Sequence, residues 1–314
     1  PYTCALIAMK LKRYAEKNFN NKIVWVSDFR DAWTEYLTTP DRWFIPSAID
    51  KNYEKKCLET ADALTIVAKG FKDDFDKKYP EISRKKKYVL IRNGFDSDDY
   101  SSVKFDKLDK SEKFTVVYTG SMYGKRNPYF FINTLSDLAA EGLIDTEKIN
   151  LIFVGRCSSE ISDYFNNCPM KKSIEQISYV PHSESIKYLL MADMMLLLID
   201  EDKYSKMILS GKVFEYLGAS LVTRKPILAI APEGEASELI KETSAGTVIP
   251  HNDKDYLSKE FLKYYNSHHN KNLKTFPEGM DAHHVNSEAI KRYDRKFLAK
   301  SLSETFSQLI ESKN

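Results

Sequence analysis

The stretch FTVVYTGSMYGKRNP, residues 114–128, starts as a β-strand and ends at the mouth of a helix. Phe114 to Thr119 are β-branched or aromatic with no alternation of polar residues, as in a strand covered on both faces. Gly120 and Gly124 then frame a turn that carries Lys125 and Arg126, and Pro128 sits where a helix accepts proline, at its first position. Ligands of open α/β sheets bind outside the carboxyl ends of the strands, and two cations there suit a diphosphate. The same residues would also make an ordinary strand-to-helix turn with solvated charges.

Working outward, strand-like runs alternate with helical periodicity almost from end to end, which reads as parallel sheets covered by helices, an α/β fold. Strands are expected at 22–27, 63–68, 88–91, 114–119, 149–154, 177–180, 194–199, 226–231 and 247–249. Helices are expected at 4–18, 50–60, 70–79, 128–141, 183–192, 211–222, 235–243, 256–267 and 286–312. The 314 residues suggest two domains. The polar run DSDDYSSVKFDKLDKSEK after Asn93-Gly94 marks the boundary, giving domains at 1–93 and 94–275 and a C-terminal helical segment at 276–314. Three strands in the first 93 residues are few for a doubly wound domain, so the N-terminal domain is expected to be incomplete, with residues preceding Pro1.

Composition narrows the classes. With 42% hydrophobic and 29% charged residues the chain is neither fibrous nor disordered, and 47 basic against 45 acidic residues argue against a nucleic-acid partner. The four cysteines form no C-x-x-C pair and fit a reduced, cytoplasmic setting. The histidine pairs 268–269 and 283–284 lack metal-ligand spacing, so no metal site is expected. The run Arg84-Lys85-Lys86-Lys87 reads as a solvated loop, with peripheral contact to an acidic membrane, at its inner face, as the other reading. The longest apolar run, MADMMLLLI at 191–199, is about half of a membrane span.

Two further segments carry chemistry. In Ser210-Gly211-Lys212-Val213-Phe214-Glu215, Ser210 is a good N-cap, the helix start offers unpaired N–H groups to an anion, Lys212 adds charge, and Glu215 one turn on can accept from a ribose diol. It is not a Walker A loop, and a helix that merely begins with Ser-Gly is the plainer alternative. Asp28-Phe29-Arg30-Asp31-Ala32-Trp33 follows a strand and reads as a sugar-facing polar patch or as a structural Arg-Asp pair beside a buried indole.

Taken in order, DFRDAW (28–33), ETADALTIVAKGF (59–71), IRNGFD (91–96), VYTGSMYGKRNP (117–128), IFVGR (152–156), YVPHSESIKYLLMADMMLLL (179–198), SGKVFEYLGA (210–219), KPILAI (225–230) and ASELIKETSAG (236–246) resemble retaining, nucleotide-sugar-dependent glycosyltransferases of the GT-B fold. The resemblance spans nearly the whole chain. It implies two Rossmann-like domains facing across a cleft, and a C-terminal helix crossing back to the N-terminal domain. It also implies transfer of a sugar from a nucleoside diphosphate sugar to a saccharide or lipid-linked acceptor in polysaccharide, lipopolysaccharide or glycolipid synthesis. Gly120, Ser121, Lys125 and Arg126 would then hold the diphosphate, with Arg156 at the next strand's mouth. Tyr179, Val180 and Pro181 would pack on the base, Ser210, Gly211 and Lys212 would flank the phosphates, and Glu215 would bind the ribose. Lys212 and Arg126 would assist departure of the diphosphate without a metal or other cofactor, and Asp28, Arg30 and Asp31 would face the acceptor. Met207 stands where the family's first E-x7-E glutamate is expected, with Glu201 or Asp202 as substitutes. Rival readings are a non-catalytic nucleotide-sugar-binding scaffold and a 2-epimerase, which needs more carboxylates and histidines than His182 alone. A dehydrogenase would need a G-x-G-x-x-G that follows no strand here.

Overall fold

The structure is a computed structural model that describes residues 2–19, 23–34, 43–101, 103, 112–200, 209–269 and 285–313. The chain divides into two compact units, residues 1–93 with 207–209 and 296–314, and residues 94–206 with 210–295.

The first unit contains α1 (Thr3–Phe19), β1 (Val26–Phe29), α2 (Phe44–Thr60), β2 (Ala63–Ile66), α3 (Gly70–Lys78), α4 (Pro80–Ser83) and β3 (Lys87–Leu90). Its three strands are parallel in the order β1-β2-β3, with Val26 beside Ala63 and Ala63 beside Lys87. Phe29, Trp33, Leu58, Leu64, Phe71 and Phe75 form its core, and all three tryptophans, Trp25, Trp33 and Trp43, belong to this unit. In the run at 84–87, Arg84 and Lys85 are exposed in a turn between α4 and β3, as the solvated-loop reading expects. Lys86 donates to the carbonyls of Glu59 and Ala61 at the end of α2, where a cation meets unpaired carbonyls, and Lys87 opens β3.

The second unit contains α5 (Ser97–Ser101), β4 (Phe114–Thr119), α6 (Tyr129–Ala140), β5 (Ile149–Val154), α7 (Ser159–Asn167), β6 (Ile174–Ile177), α8 (His182–Met191), β7 (Met194–Leu198), α9 (Gly211–Thr223), β8 (Ile227–Ile230), α10 (Glu235–Thr243), β9 (Gly246–Ile249), α11 (Lys254–His269) and α12 (Ser287–Lys291). The six parallel strands lie in the order β6-β5-β4-β7-β8-β9. Counted from β4 this is 3-2-1-4-5-6, the doubly wound dinucleotide-binding order, whose reversal between β4 and β7 opens a crevice at the strands' carboxyl ends. β4, β7 and β8 are buried throughout, which accounts for their unbroken apolar runs.

The differences from the sequence expectations have local causes. β6 falls at Ile174–Ile177 instead of 177–180, because Ile174 pairs with Leu151 and Ile177 with Val154. Its centre, Glu175-Gln176, is polar since β6 is an edge strand, and residues 178–181 are left as a loop. α7, with Ser158 capping the N–H of Ile161, and α5 did not stand out from sequence because they are short, of nine and five residues. The expected helix at 286–312 is two, α12 and α13 (Arg295–Glu311). Between them Tyr293 buries its ring against Phe214, and the backbone of 293–295 pairs with Phe95. Residues 285–295 thus belong to the second unit, and the change of unit falls within the C-terminal pattern, not at 275. Lys87 bonds Gln308, and Lys313 bonds Asp62 and the Ile23 carbonyl, all within the first unit. No helix among the described residues is long and apolar enough to cross a membrane.

Candidate functional site

At the carboxyl end of β4 the chain turns at Gly120, whose φ of 125° belongs to glycine. A Cβ there would lie 1.9 Å from Lys212 Nζ. Gly155, at the end of β5 with φ of 136°, is fixed in the same way, since a Cβ would meet the Gly120 carbonyl oxygen at 2.3 Å. Two glycines therefore let two strand ends and a lysine converge.

α9 supplies the rest through one face. Ser210 caps it, accepting from the Lys212 N–H at 3.3 Å. Lys212 reaches under Gly120 and donates to the Tyr118 hydroxyl at 3.2 Å, which in turn donates to the Ser121 carbonyl at 3.2 Å. Burial, and then the nearby Arg126, push the Lys212 ammonium down to about 8. Tyr216, buried one turn on, accepts the Thr119 N–H at 2.9 Å and so ties α9 to the end of β4. Glu215 follows Lys212 by three residues on α9; burial pushes its carboxyl up, while His182 and Lys212 pull it down.

A cavity of about 340 Å³ opens over these strand ends, lined by Thr119, Gly120, Ser121, Arg156, Lys212 and Glu215 among others. Its outer wall is the 178–181 loop and the start of α8, through Tyr179, Val180, His182 and Ser185. Arg156 lies over the Tyr179 ring at 5.6 Å. Two full cations, a histidine and one carboxylate thus face a space of ligand-pocket size, a set that can hold an anion at one end and accept hydroxyl hydrogens at the other.

The structure brings Gly120, Ser121, Arg156, Tyr179, Val180, Lys212 and Glu215 to this cavity. Ser210 serves as the N-cap, and a Cβ on Gly211 would meet only open space. Lys125 and Pro181 are exposed outside the lining. Arg126 stands one layer back, paired with Asp200 at 3.3 Å. Asp28, Arg30 and Asp31 are exposed in the first unit, where Arg30 pairs with Asp28 at 2.8 Å and Thr65 donates to Asp28 at 2.6 Å. Met207, Glu201 and Asp202 lie outside the described residues, as do His283 and His284.

Sequence reasoning did not select Asp200, Asp99 or Tyr100. Asp200 follows the apolar β7 run directly, and its Oδ1 is buried without a hydrogen-bond partner among the described residues. Asp99 and Tyr100 sit in the run read as a linker. The Tyr100 hydroxyl donates to the Glu215 carbonyl at 2.7 Å, and its ring fills the place a side chain on Gly218 would take. Among the described residues no group of three His, Cys, Asp or Glu side chains is placed to hold a metal ion.

No protein-family model and no curated protein matches the chain. Solved structures do. A glycosyltransferase from Rickettsia africae ESF-5 superposes with a TM-score of 0.66 at 15% identity, over 98% of this chain and 81% of that one. A sucrose-phosphate synthase from Thermosynechococcus elongatus gives 0.63 at 13% identity, over 98% and 72%. The pneumococcal O-GlcNAc transferase GtfA, in complex with UDP and GlcNAc, gives 0.60 at 12% identity, over 91% and 53%. At these identities the likeness is one of fold: the chain is α/β, with two Rossmann-like units, a fold it shares with these glycosyltransferase structures.

Proposed function

We propose that the protein is a glycosyltransferase that takes a nucleoside diphosphate sugar in the pocket of its second unit and passes the sugar to an acceptor hydroxyl with retention. The observation that carries the reading is α9: one helical face sends Lys212 to the glycine turn of β4 and, one turn later, Glu215 to the same cavity. A lysine beside close-approaching backbone suits a diphosphate, and a carboxylate at that spacing suits the two hydroxyls of a ribose. The fold neighbours supply the reaction class, and GtfA, described with UDP and GlcNAc, supports a nucleotide-sugar donor.

In this reading the bond from the anomeric carbon to the diphosphate oxygen breaks, and the acceptor oxygen bonds to that carbon on the same face. The acceptor proton passes to the leaving phosphate. Lys212, Arg126 and Arg156 answer the charge that grows on the diphosphate, helped by the positive dipole end of α9, so the proposal needs no metal. Glu215 binds and does not act as a base. Tyr179 and Val180 are assigned to the base, and Asp28, Arg30 and Asp31 to a saccharide or lipid-linked acceptor. The proposed setting is polysaccharide, lipopolysaccharide or glycolipid synthesis on the cytoplasmic side.

Glu215→Ala should weaken binding of UDP or GDP more than tenfold, about 1.4 kcal/mol or more, measured by calorimetry. A thermal-shift panel of nucleoside diphosphates and their sugars should raise the melting temperature of the parent, with or without chelator, and not that of a Lys125→Ala, Arg126→Ala, Lys212→Ala variant. Loss of the parent shift on adding chelator would defeat the metal-free mechanism. Donor binding without sugar transfer to any acceptor would turn the assignment to a non-catalytic binder.

A further inference from the structure

Glu215 does not stand alone in the cavity wall. The His182 ring, at the first residue of α8, has Nδ1 3.8 Å from Glu215 Oε1 and Nε2 3.1 Å from Asp99 Oδ2. Asp99 comes from α5, and the next residue, Tyr100, is buried and bonds the Glu215 backbone carbonyl at 2.7 Å. α5 therefore grips α9 through Tyr100 and the imidazole through Asp99, so that three elements separated in sequence converge on one carboxylate.

We propose that Asp99 and His182 position Glu215 and keep its carboxylate available to accept hydrogens from a ligand diol, so that loss of His182 makes nucleoside diphosphate binding fail at a higher pH. The inference rests on the assignment of this pocket to a nucleoside diphosphate. Asp99 accepts the Nε2 hydrogen and so turns Nδ1 toward Glu215. A charged ring then presents Nδ1–H to a carboxylate whose charged form burial disfavours. Among the described residues, the other charged groups that act on Glu215 are Lys212 and Arg295, which also favour its charged form, and Asp99, which opposes it. The two carboxylates favour a charged ring, and the N-terminal end of α8 disfavours it. The His182 imidazole is half exposed, so it exchanges protons with solvent. It is a positioning residue, since its effect on the ligand passes through Glu215.

The test is the pH profile of UDP and GDP affinity by calorimetry, from about pH 5 to pH 8, in the parent and in His182→Gln, His182→Lys and Glu215→Gln. In the parent, affinity falls toward acid pH as Glu215 takes up a proton. In His182→Gln the acid limb should move up by about one pH unit, a tenfold loss on that limb, with affinity near pH 8 within about threefold of the parent. His182→Lys restores the charge and should return the limb toward the parent position. Titration of the ligand's own phosphate is common to every variant and cancels in the comparison. Superimposable acid limbs in the parent and His182→Gln, with Glu215→Gln weakened throughout, would overturn the inference while leaving the pocket assignment intact. Unchanged affinity in Glu215→Gln at every pH would overturn the assignment itself.

Discussion

Lys212 shows what the site costs the fold. Its ammonium is half-buried against the glycine turn, with the charge of Arg126 nearby, and its charged form is disfavoured, so that the group sits at about 8 against an ordinary 10.5. The unfolded chain then binds the extra proton more readily than the native one between about pH 8 and 10.5, so this group's contribution to stability rises with pH across that window, and its penalty is fully present below about 8. Lys212→Met should accordingly stabilise the protein near neutral pH by about 1 to 3 kcal/mol in urea unfolding, while abolishing the nucleotide-induced rise in melting temperature. A variant less stable than the parent at pH 7 would contradict this account of the lysine. The cation itself was legible in the sequence, as part of a Ser-Gly-Lys helix start. The reason for Gly120 was not, because a collision between a missing methyl group and a lysine much later in the chain is a tertiary fact.

At the scale of elements, α9 organises the pocket and Tyr100 of α5 holds α9. The hydroxyl bond from Tyr100 to the Glu215 carbonyl, and the ring seated over Gly218, predict a graded response. Tyr100→Phe should cost about 1 kcal/mol for the lost hydrogen bond, and Tyr100→Ala about 3 to 5 kcal/mol for the cavity, with nucleotide affinity falling further in the second as α9 loses its seat. Chemical denaturation with calorimetry reads both; equal effects would mean that the ring's packing contributes nothing. The buried strands and α9 were readable because unbroken apolar runs and helical periodicity are local signals. α5 was not: a polar run with a single buried aromatic residue has no period. The edge strand β6 was placed three residues late because Val180 extends its apolar character into the loop, and register is decided by pairing with β5. That same shift leaves Tyr179 and Val180 in the loop that lines the cavity.

The molecule consists of two units that share an α/β design and differ, among the described residues, in strand number, three against six. Their existence was visible in the alternation of strand and helix patterns and in the polar run after Asn93. The assignment of the C-terminal segment was less so, because the break at Tyr293 depends on its burial against Phe214 and on pairing of the chain with Phe95. One consequence of the division is optical. Trp25, Trp33 and Trp43 all fall in the first unit, so indole emission reports unfolding there and leaves the second unit dark. A nucleoside diphosphate at about 100 times its Kd should add about 2.7 kcal/mol to the unit that binds it, and the melting midpoint followed by far-ultraviolet dichroism should rise more than the one followed by tryptophan emission. Equal rises by both probes would mean that the units melt as one. The chain thus carries an intrinsic label on one unit, and the coupling between the two can be measured without attaching a dye.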